Sequence, residues 1–315
     1  MKNFKCKAEK ISESIASVLD KQSHGEVIGI YSSCMNIKVG NGKLITLFIH
    51  TEDITPLSII CDIKDKNAFI NREICLGMQV TLSRELIGVP QAGFICDCSK
   101  AVEEKTPKNV PERLISYDGI EGNLNTVLEI LKSLPDANGA CSYIEEFGGL
   151  YFKKSLRERK GLPNDFFVRL GNLAKSAQEN NPISIFKNLY LTVGMGIGLT
   201  PSADDVILGI SAWLYFYPGS YERYSDWFES LKSFVKDEGE KRTTFVSKIY
   251  LEHGSSGRFS EVLYKMIFNI LCKPREDVSS ATYKMISYGA SSGCDICTGV
   301  LIGGIITSQQ TLAFK

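Results

Sequence analysis

Gly194-Met195-Gly196-Ile197-Gly198-Leu199-Thr200-Pro201-Ser202-Ala203-Asp204-Asp205 is the stretch on which the reading of this chain turns. Three alternate glycines allow backbone geometry closed to other residues and let a ligand come close to the main chain. The second half spells a helix start. Thr200 is placed to cap free backbone N–H groups, and Pro201 at the first helical position sacrifices no hydrogen bond. Val206, Ile207, Ile210 and Leu214 then supply a buried stripe, with Trp213, Tyr215, Phe216 and Tyr217 as core aromatics. Unpaired amides at such a turn and helix N-terminus favour an anion, phosphate above all. Gly196, Gly198, Thr200 and Ser202 are therefore candidate phosphate-binding residues.

Asp204 and Asp205 add carboxylates to the first helical turn, where each is favourable by about 0.3–1 kcal/mol. Beside a bound phosphate they would repel it, unless a cation lies between or they point elsewhere. Mg2+ accepts carboxylate and phosphate oxygens together and is the one cofactor these residues suggest, with Asp204 and Asp205 as its ligands. Adjacent residues differ by roughly 100° around a helix, so the two are not expected to chelate one ion equally. One is expected to hold the ion or substrate and the other to orient the loop, which makes both candidate catalytic residues. A structural alternative stands beside this, in which the glycines permit tight helix packing and the aspartates help the cap. The segment has no lysine for a Walker motif and no strand–turn–helix frame for a dinucleotide fingerprint.

Outward from this centre the two parts of the chain differ in texture. Residues 27–31, 34–39 and 44–49 read as strands, the last two joined by a Gly40-Asn41-Gly42 hairpin. Stretches 57–63, 74–82 and 94–98 continue the pattern, while Ile11, Ile15, Val18 and Leu19 suggest a short leading helix. Residues 1–100 are thus expected to form a small, mostly β domain, barrel or open sheet. Residues 101–117, with Pro107 and Pro111 among charges, read as a linker. From 118 to 315 the period is helical, with helices expected after Pro163 at 166–177 and then at 184–192, 201–217, 221–236, 241–252, 258–272, 276–288 and 293–307. The fold class is α+β, a small β domain followed by a larger helical one.

Two further turns carry polar groups. His253-Gly254-Ser255-Ser256-Gly257-Arg258 offers hydroxyls, backbone donors, a guanidinium suited to phosphate or carboxylate, and one of three histidines. Ser291-Ser292-Gly293-Cys294-Asp295 is the second. His253 is a candidate catalytic residue, and Ser255, Ser256, Gly257, Arg258, Ser292 and Asp295 are candidate substrate-binding residues, provided the turns converge with 196–205 at one end of a bundle. Ordinary serine caps would look the same. Thr243, Thr244 and Ser247 read as capping or packing hydroxyls, and His24 and His50 receive no ligand role.

Thirty-six basic residues balance 36 acidic ones in 315, which removes the usual electrostatic argument for nucleic acid. No apolar run reaches the roughly 20 residues of a membrane span. Nothing like a secretory signal follows the basic start, and ten scattered cysteines suit free thiols, so a cytoplasmic setting is expected. Cys96-Asp97-Cys98 and Cys294-Asp295-Ile296-Cys297 could in principle supply four thiolates. Their strand-like and helical contexts, far apart in the chain, argue against it.

The Gly-Leu-Thr-Pro-Ser-Ala-Asp-Asp string resembles the signature of the DUF2877 family, which includes the AllH-type subunit of bacterial oxamate carbamoyltransferase. The β-rich start, the Thr243/Ser247 helix and the two serine-glycine turns follow in the matching order. Ala203 stands where the family pattern has glycine, and Cys294 where a larger residue is commoner. The resemblance implies a place in anaerobic allantoin and purine nitrogen metabolism, where oxalurate and phosphate are converted to oxamate and carbamoyl phosphate. It implies partner chains resembling the FdrA and AllG subunits, and a small anionic metabolite as ligand. The expected role is a subunit contributing an anion site. Alternatives are a noncatalytic assembly subunit or a stand-alone phosphate-binding enzyme.

Overall fold

A computed structural model describes residues 4–19, 23–40, 42–51, 53–134, 139–142 and 165–308. The chain divides into two compact units. The first runs up to Pro107 and includes Phe259–Glu261; the second takes Lys108 to Arg258 and continues from Val262.

The first unit is a β-barrel. Its elements are β1 (Phe4–Ser12), α1 (Glu13–Leu19), β2 (Ser23–Ile30), β3 (Cys34–Val39), β4 (Leu44–Phe48), β5 (Ser58–Cys61), β6 (Gln79–Leu82), β7 (Leu86–Val89), β8 (Phe94–Asp97) and β9 (Val102–Glu104). The strand order is β5-β4-β3-β2-β6-β7-β8-β1-β9, and β1 also pairs with β5, which closes the barrel. Closure removes the exposed edges that an open sheet would leave. Along β1 the alternation is visible: Lys5, Lys7 and Glu9 are exposed while Cys6 and Ala8 are buried. Val27, Ile37, Ile45, Leu47, Ile59, Val80, Ile87 and Phe94 fill the interior. The β3–β4 hairpin forms as expected, with Val39 N donating to Lys43 O at 2.8 Å and Gly42 N to Val39 O at 2.9 Å. Asn41 lies outside the described residues.

Three local expectations give way to long-range pairing. The short leading helix suggested by Ile11, Ile15, Val18 and Leu19 begins later than expected. Ala8 and Ile11 sit in β1 paired with Cys61 and Ile59, and only Glu13–Leu19 is helical. The expected strand over 74–82 shrinks to Gln79–Leu82, and the unexpected β7 pairs with it across a tight turn. Within the stretch read as linker, Val102–Glu104 adds a strand to β1 through Lys10, Ile11 and Ser12.

The second unit is helical: α2 (Tyr117–Lys132), α3 (Phe166–Gln178), α4 (Pro182–Thr192), α5 (Ser202–Phe216), α6 (Ser220–Arg223), α7 (Ser225–Asp237), α8 (Gly239–Arg242), α9 (Phe245–Ser255), α10 (Glu261–Cys272), α11 (Arg275–Ile286) and α12 (Ser292–Ser308). At its centre α5 and α12 run parallel. A β-carbon added at Gly209 would lie 2.2 Å from Ile296 O, and one at Gly299 would lie 2.1 Å from Val206 O. The two backbones therefore touch where side chains would hold them apart. Both helices are apolar nearly all round, as suits a buried pair. Trp213 and Phe216 are fully buried, and the Trp213 indole N–H donates to Thr307 Oγ1 at 2.9 Å. Among the described residues, no helix is long and apolar enough to cross a membrane.

Candidate functional site

The parallel α5–α12 pair brings two helix N-termini side by side, and α9 adds a third. In front of them lies the 194–200 loop, whose three glycines all take positive φ: 83° at Gly194, 117° at Gly196 and 104° at Gly198. Two of them are also required by close approach. A β-carbon on Gly194 would sit 1.8 Å from Arg242 O, and one on Gly196 would sit 2.5 Å from Ser202 N. The loop thus folds back on the start of α5, where Ala203 N donates to Met195 O at 3.0 Å. Ala203 itself is fully buried.

Asp204 ties this loop to α9. Its Oδ1 accepts Gly194 N at 2.7 Å; its Oδ2 accepts the Ser247 hydroxyl at 2.5 Å and also the Thr243 hydroxyl. Thr244 caps α9, receiving Ser247 N at 3.1 Å, and donates its hydroxyl to Leu199 O at 2.5 Å. Burial pushes the Asp204 pKa up, and the donors from Ser247, Thr243 and Gly194 pull against that. Both oxygens being occupied by donors, Asp204 behaves as an anchored acceptor that positions the loop.

Asp205 faces the other way, toward α12. Thr200 Oγ1 shares one hydrogen bond with Asp205 Oδ2 at 2.9 Å and another with Ser292 Oγ at 2.9 Å. Thr200 was expected to cap α5. Instead Pro201 occupies the cap position without a side-chain bond, because the Thr200 hydroxyl is engaged by the carboxylate and by Ser292. Burial first, and then the charge of Asp295, push Asp205 well above the ordinary carboxyl range. Asp295 is fully buried. Its Oδ1 accepts Ala140 N at 2.6 Å, while Oδ2 lacks a hydrogen bond of good geometry among the described residues. Burial pushes its pKa up to about 7, tempered by the nearby hydroxyl of Ser202 and the Ala140 amide.

Three buried carboxyls thus crowd at three helix N-termini, whose partial positive charges favour negative groups there. In front of them, the amides of Gly196, Ile197, Gly198, Leu199 and Thr200 donate to no acceptor among the described residues. Among the described residues, Ile197, Gly198 and Leu199 are exposed, and Gly196 and Thr200 are half-buried. Open amides of this kind receive anionic oxygens, and a carboxyl held near pH 7 can give or take a proton at neutral pH. The aspartates do not form a three-ligand metal cage; among the described residues that arrangement is met by Cys6, Cys61 and Cys96 in the barrel.

The structure therefore gathers Gly196, Gly198, Thr200, Ser202, Asp204, Asp205, Ser292 and Asp295. It does not bring the 253–258 turn to them. Gly257 packs on the ring of Tyr215, where an added β-carbon would be 2.1 Å from Cε2. Tyr215 lies 13 residues beyond Ser202, roughly 20 Å along α5. His253, Ser255, Ser256, Gly257 and Arg258 accordingly sit at the far end of that helix. Ser255 and Ser256 return their hydroxyls to Glu252 O, at 2.8 and 3.2 Å, as helix-end serines commonly do. Sequence reasoning in turn missed the 139–140 backbone. Gly139 lies so close to the Asp295 carboxylate that a β-carbon would be 2.5 Å from Oδ1, and no sequence signal marks it. It also undervalued Thr243 and Ser247, whose i, i+4 hydroxyl spacing was the available clue.

Fold and site together define an α+β protein with a barrel followed by a helical unit that buries acidic groups behind an open amide strip. The AllH family N-terminal domain matches residues 7–103, and the family described as oxamate carbamoyltransferase subunit AllH matches residues 192–304. The two matches span about two thirds of the chain, which belongs to the AllH family. The second match contains every gathered site residue except the 139–140 backbone. No solved structure matches the chain.

Proposed function

We propose that this chain serves as a subunit of an oxamate-type carbamoyltransferase, to which it contributes an anion site on the 196–200 loop. The observation that carries the reading is the row of open amides next to Asp205 and Asp295. Phosphate, or the phosphate end of carbamoyl phosphate, would lie against those amides, which stabilise charge on its oxygens. Thr200 donates its hydroxyl to Asp205 Oδ2 and accepts from Ser292, which ties the start of α12 to the loop that would receive the ligand. Burial that favours the neutral forms of Asp205 and Asp295 also reduces the repulsion that two full charges would exert on a phosphate. Asp204 stays a positioning residue. In this reading Asp204, engaged by its donors, and a neutral Asp205 do not ligate Mg2+, and any Mg2+ that accompanies the ligand is held by the ligand's own oxygens and water.

The expected protein partners are chains resembling the FdrA and AllG subunits, which supply the rest of the transferase. Isothermal titration of the chain, and of the complex with those partners, tests the site with phosphate, carbamoyl phosphate and oxamate, each with and without Mg2+. The expected result is saturable binding of phosphate and carbamoyl phosphate, weakened by Thr200→Val. No binding by either the chain or the complex would overturn the reading.

A further inference from the structure

The barrel carries a second concentration of reactive groups, unrelated to the amide strip. Cys6 and Cys96 face each other directly in the parallel β1–β8 pairing, and Cys61 arrives from β5 on the other side of β1, beside Ala8. Their sulfur atoms all lie within 4.8 Å of one another, and Cys61 Sγ is 3.7 Å from Cys96 Sγ. All three thiols are free. Cys61 and Cys96 are fully buried, while Cys6 keeps 7% exposure. Elsewhere the barrel interior is filled mainly by branched aliphatic side chains, with Met35, Phe69 and Phe94. Here, from three different strands, it is lined by sulfur.

Sulfur ligands at about 2.3 Å from a metal ion stand roughly 3.8–4.0 Å from each other, close to the spacing already present. We propose that Cys6, Cys61 and Cys96 form a three-thiolate site for a thiophilic d10 cation, Cu(I) or Zn(II). Soft thiolates select such ions over hard cations, and each thiol that ligates releases its proton to solvent. The fourth nearby thiol, Cys98, donates to Cys96 O at 3.8 Å and stands outside the trio, so the arrangement is three-coordinate. That coordination number suits Cu(I) better than Zn(II), whose structural sites are almost always four-coordinate. The small exposure of Cys6 marks the side from which the ion would enter.

The test uses the full chain, reduced with a phosphine and freed of metal. Cu(I) in one arm and Zn(II) in the other are titrated against a chromophoric chelator. The expected result is uptake of one equivalent of at least one ion, lost in Cys6→Ala and Cys61→Ala and kept in the triple Cys34→Ser/Cys75→Ser/Cys272→Ser variant. X-ray absorption of the loaded wild-type chain should show three sulfur neighbours and no nitrogen; this measurement decides the matter if a barrel variant fails to fold. Stoichiometric uptake of neither ion, uptake that survives Cys61→Ala in a folded protein, or a nitrogen- and oxygen-rich shell would each overturn the proposal.

Discussion

The turns at 253–258 and 289–295 are close to interchangeable as sequence, both rich in serine and glycine, yet they end on opposite sides of the helical unit. The difference lies in the helix each one serves. The 289–295 turn opens α12, which runs parallel to α5 and so starts where α5 starts. The 253–258 turn closes α9, whose N-terminal Thr243 and Ser247 already hold Asp204. A helix with its beginning at the site must put its end about a helix length away, here roughly 16 Å. What brings a polar turn to a site is therefore the direction of the helix attached to it, which short motifs do not record.

Substitutions can break or sharpen this contrast. The largest effect is expected at the α5–α12 contact that aligns the two N-termini. Gly299→Val places a side chain against the Val206 carbonyl and should cost about 3 kcal/mol or more in a denaturant melt. A melt unchanged from wild type would mean that the parallel pair is not what sets the site. Asp204→Asn comes next. Exchanging an acceptor of three donors for an amide should lower stability by about 3 kcal/mol and loosen the 194–200 loop.

Asp295 gives an effect of the opposite sign. Its folded-state pKa of about 7 lies above the ordinary 3.8, so the fold prefers the neutral carboxyl. The group costs nothing below about pH 4, costs increasingly as pH rises from 4 to 7, and costs a constant amount above that. Asp295→Asn should therefore raise stability at pH 8 by about 2–4 kcal/mol and flatten the stability–pH curve between pH 4 and 7. A variant less stable than wild type at pH 8 would show that the charged carboxyl is stabilising there.

The smallest effects separate the two turns themselves. Ser292→Ala removes a hydrogen bond to Thr200 and should cost about 1 kcal/mol while weakening phosphate binding. Ser256→Ala at the distant turn should stay within about 0.5 kcal/mol and leave binding unchanged, as should the binding of Arg258→Ala. Weakened phosphate binding in Arg258→Ala would put the guanidinium back at the site.

These contrasts also mark how far the sequence could be read. Most helices beyond residue 118 are legible because each buried face repeats along a continuous stretch, but the expected helix at 241–252 is broken at the extended Thr243 and the one at 221–236 at Tyr224; the 196–205 loop is legible because its glycines, proline and aspartates act on near neighbours. β1 is not legible, since Phe4–Ser12 is strand only by virtue of β5, β8 and β9. The pairing of Asp205 with Ser292 through Thr200 depends on the parallel course of two helices, and the Ala140 amide on Asp295 depends on tertiary packing alone. Cys6, Cys61 and Cys96 escape sequence inspection for the same reason: strand pairing assembles them from three separate stretches.

Amide proton–nitrogen correlation spectra of the deuterated chain, recorded during titration with phosphate and then carbamoyl phosphate, test the central claim most directly. Saturable shifts at Gly196, Gly198 and Thr200, with the Gly254 and Gly257 signals unmoved, are the predicted result. Signals at 196–200 that stay fixed at saturating ligand, or shifts confined to the 254–258 turn, would contradict it.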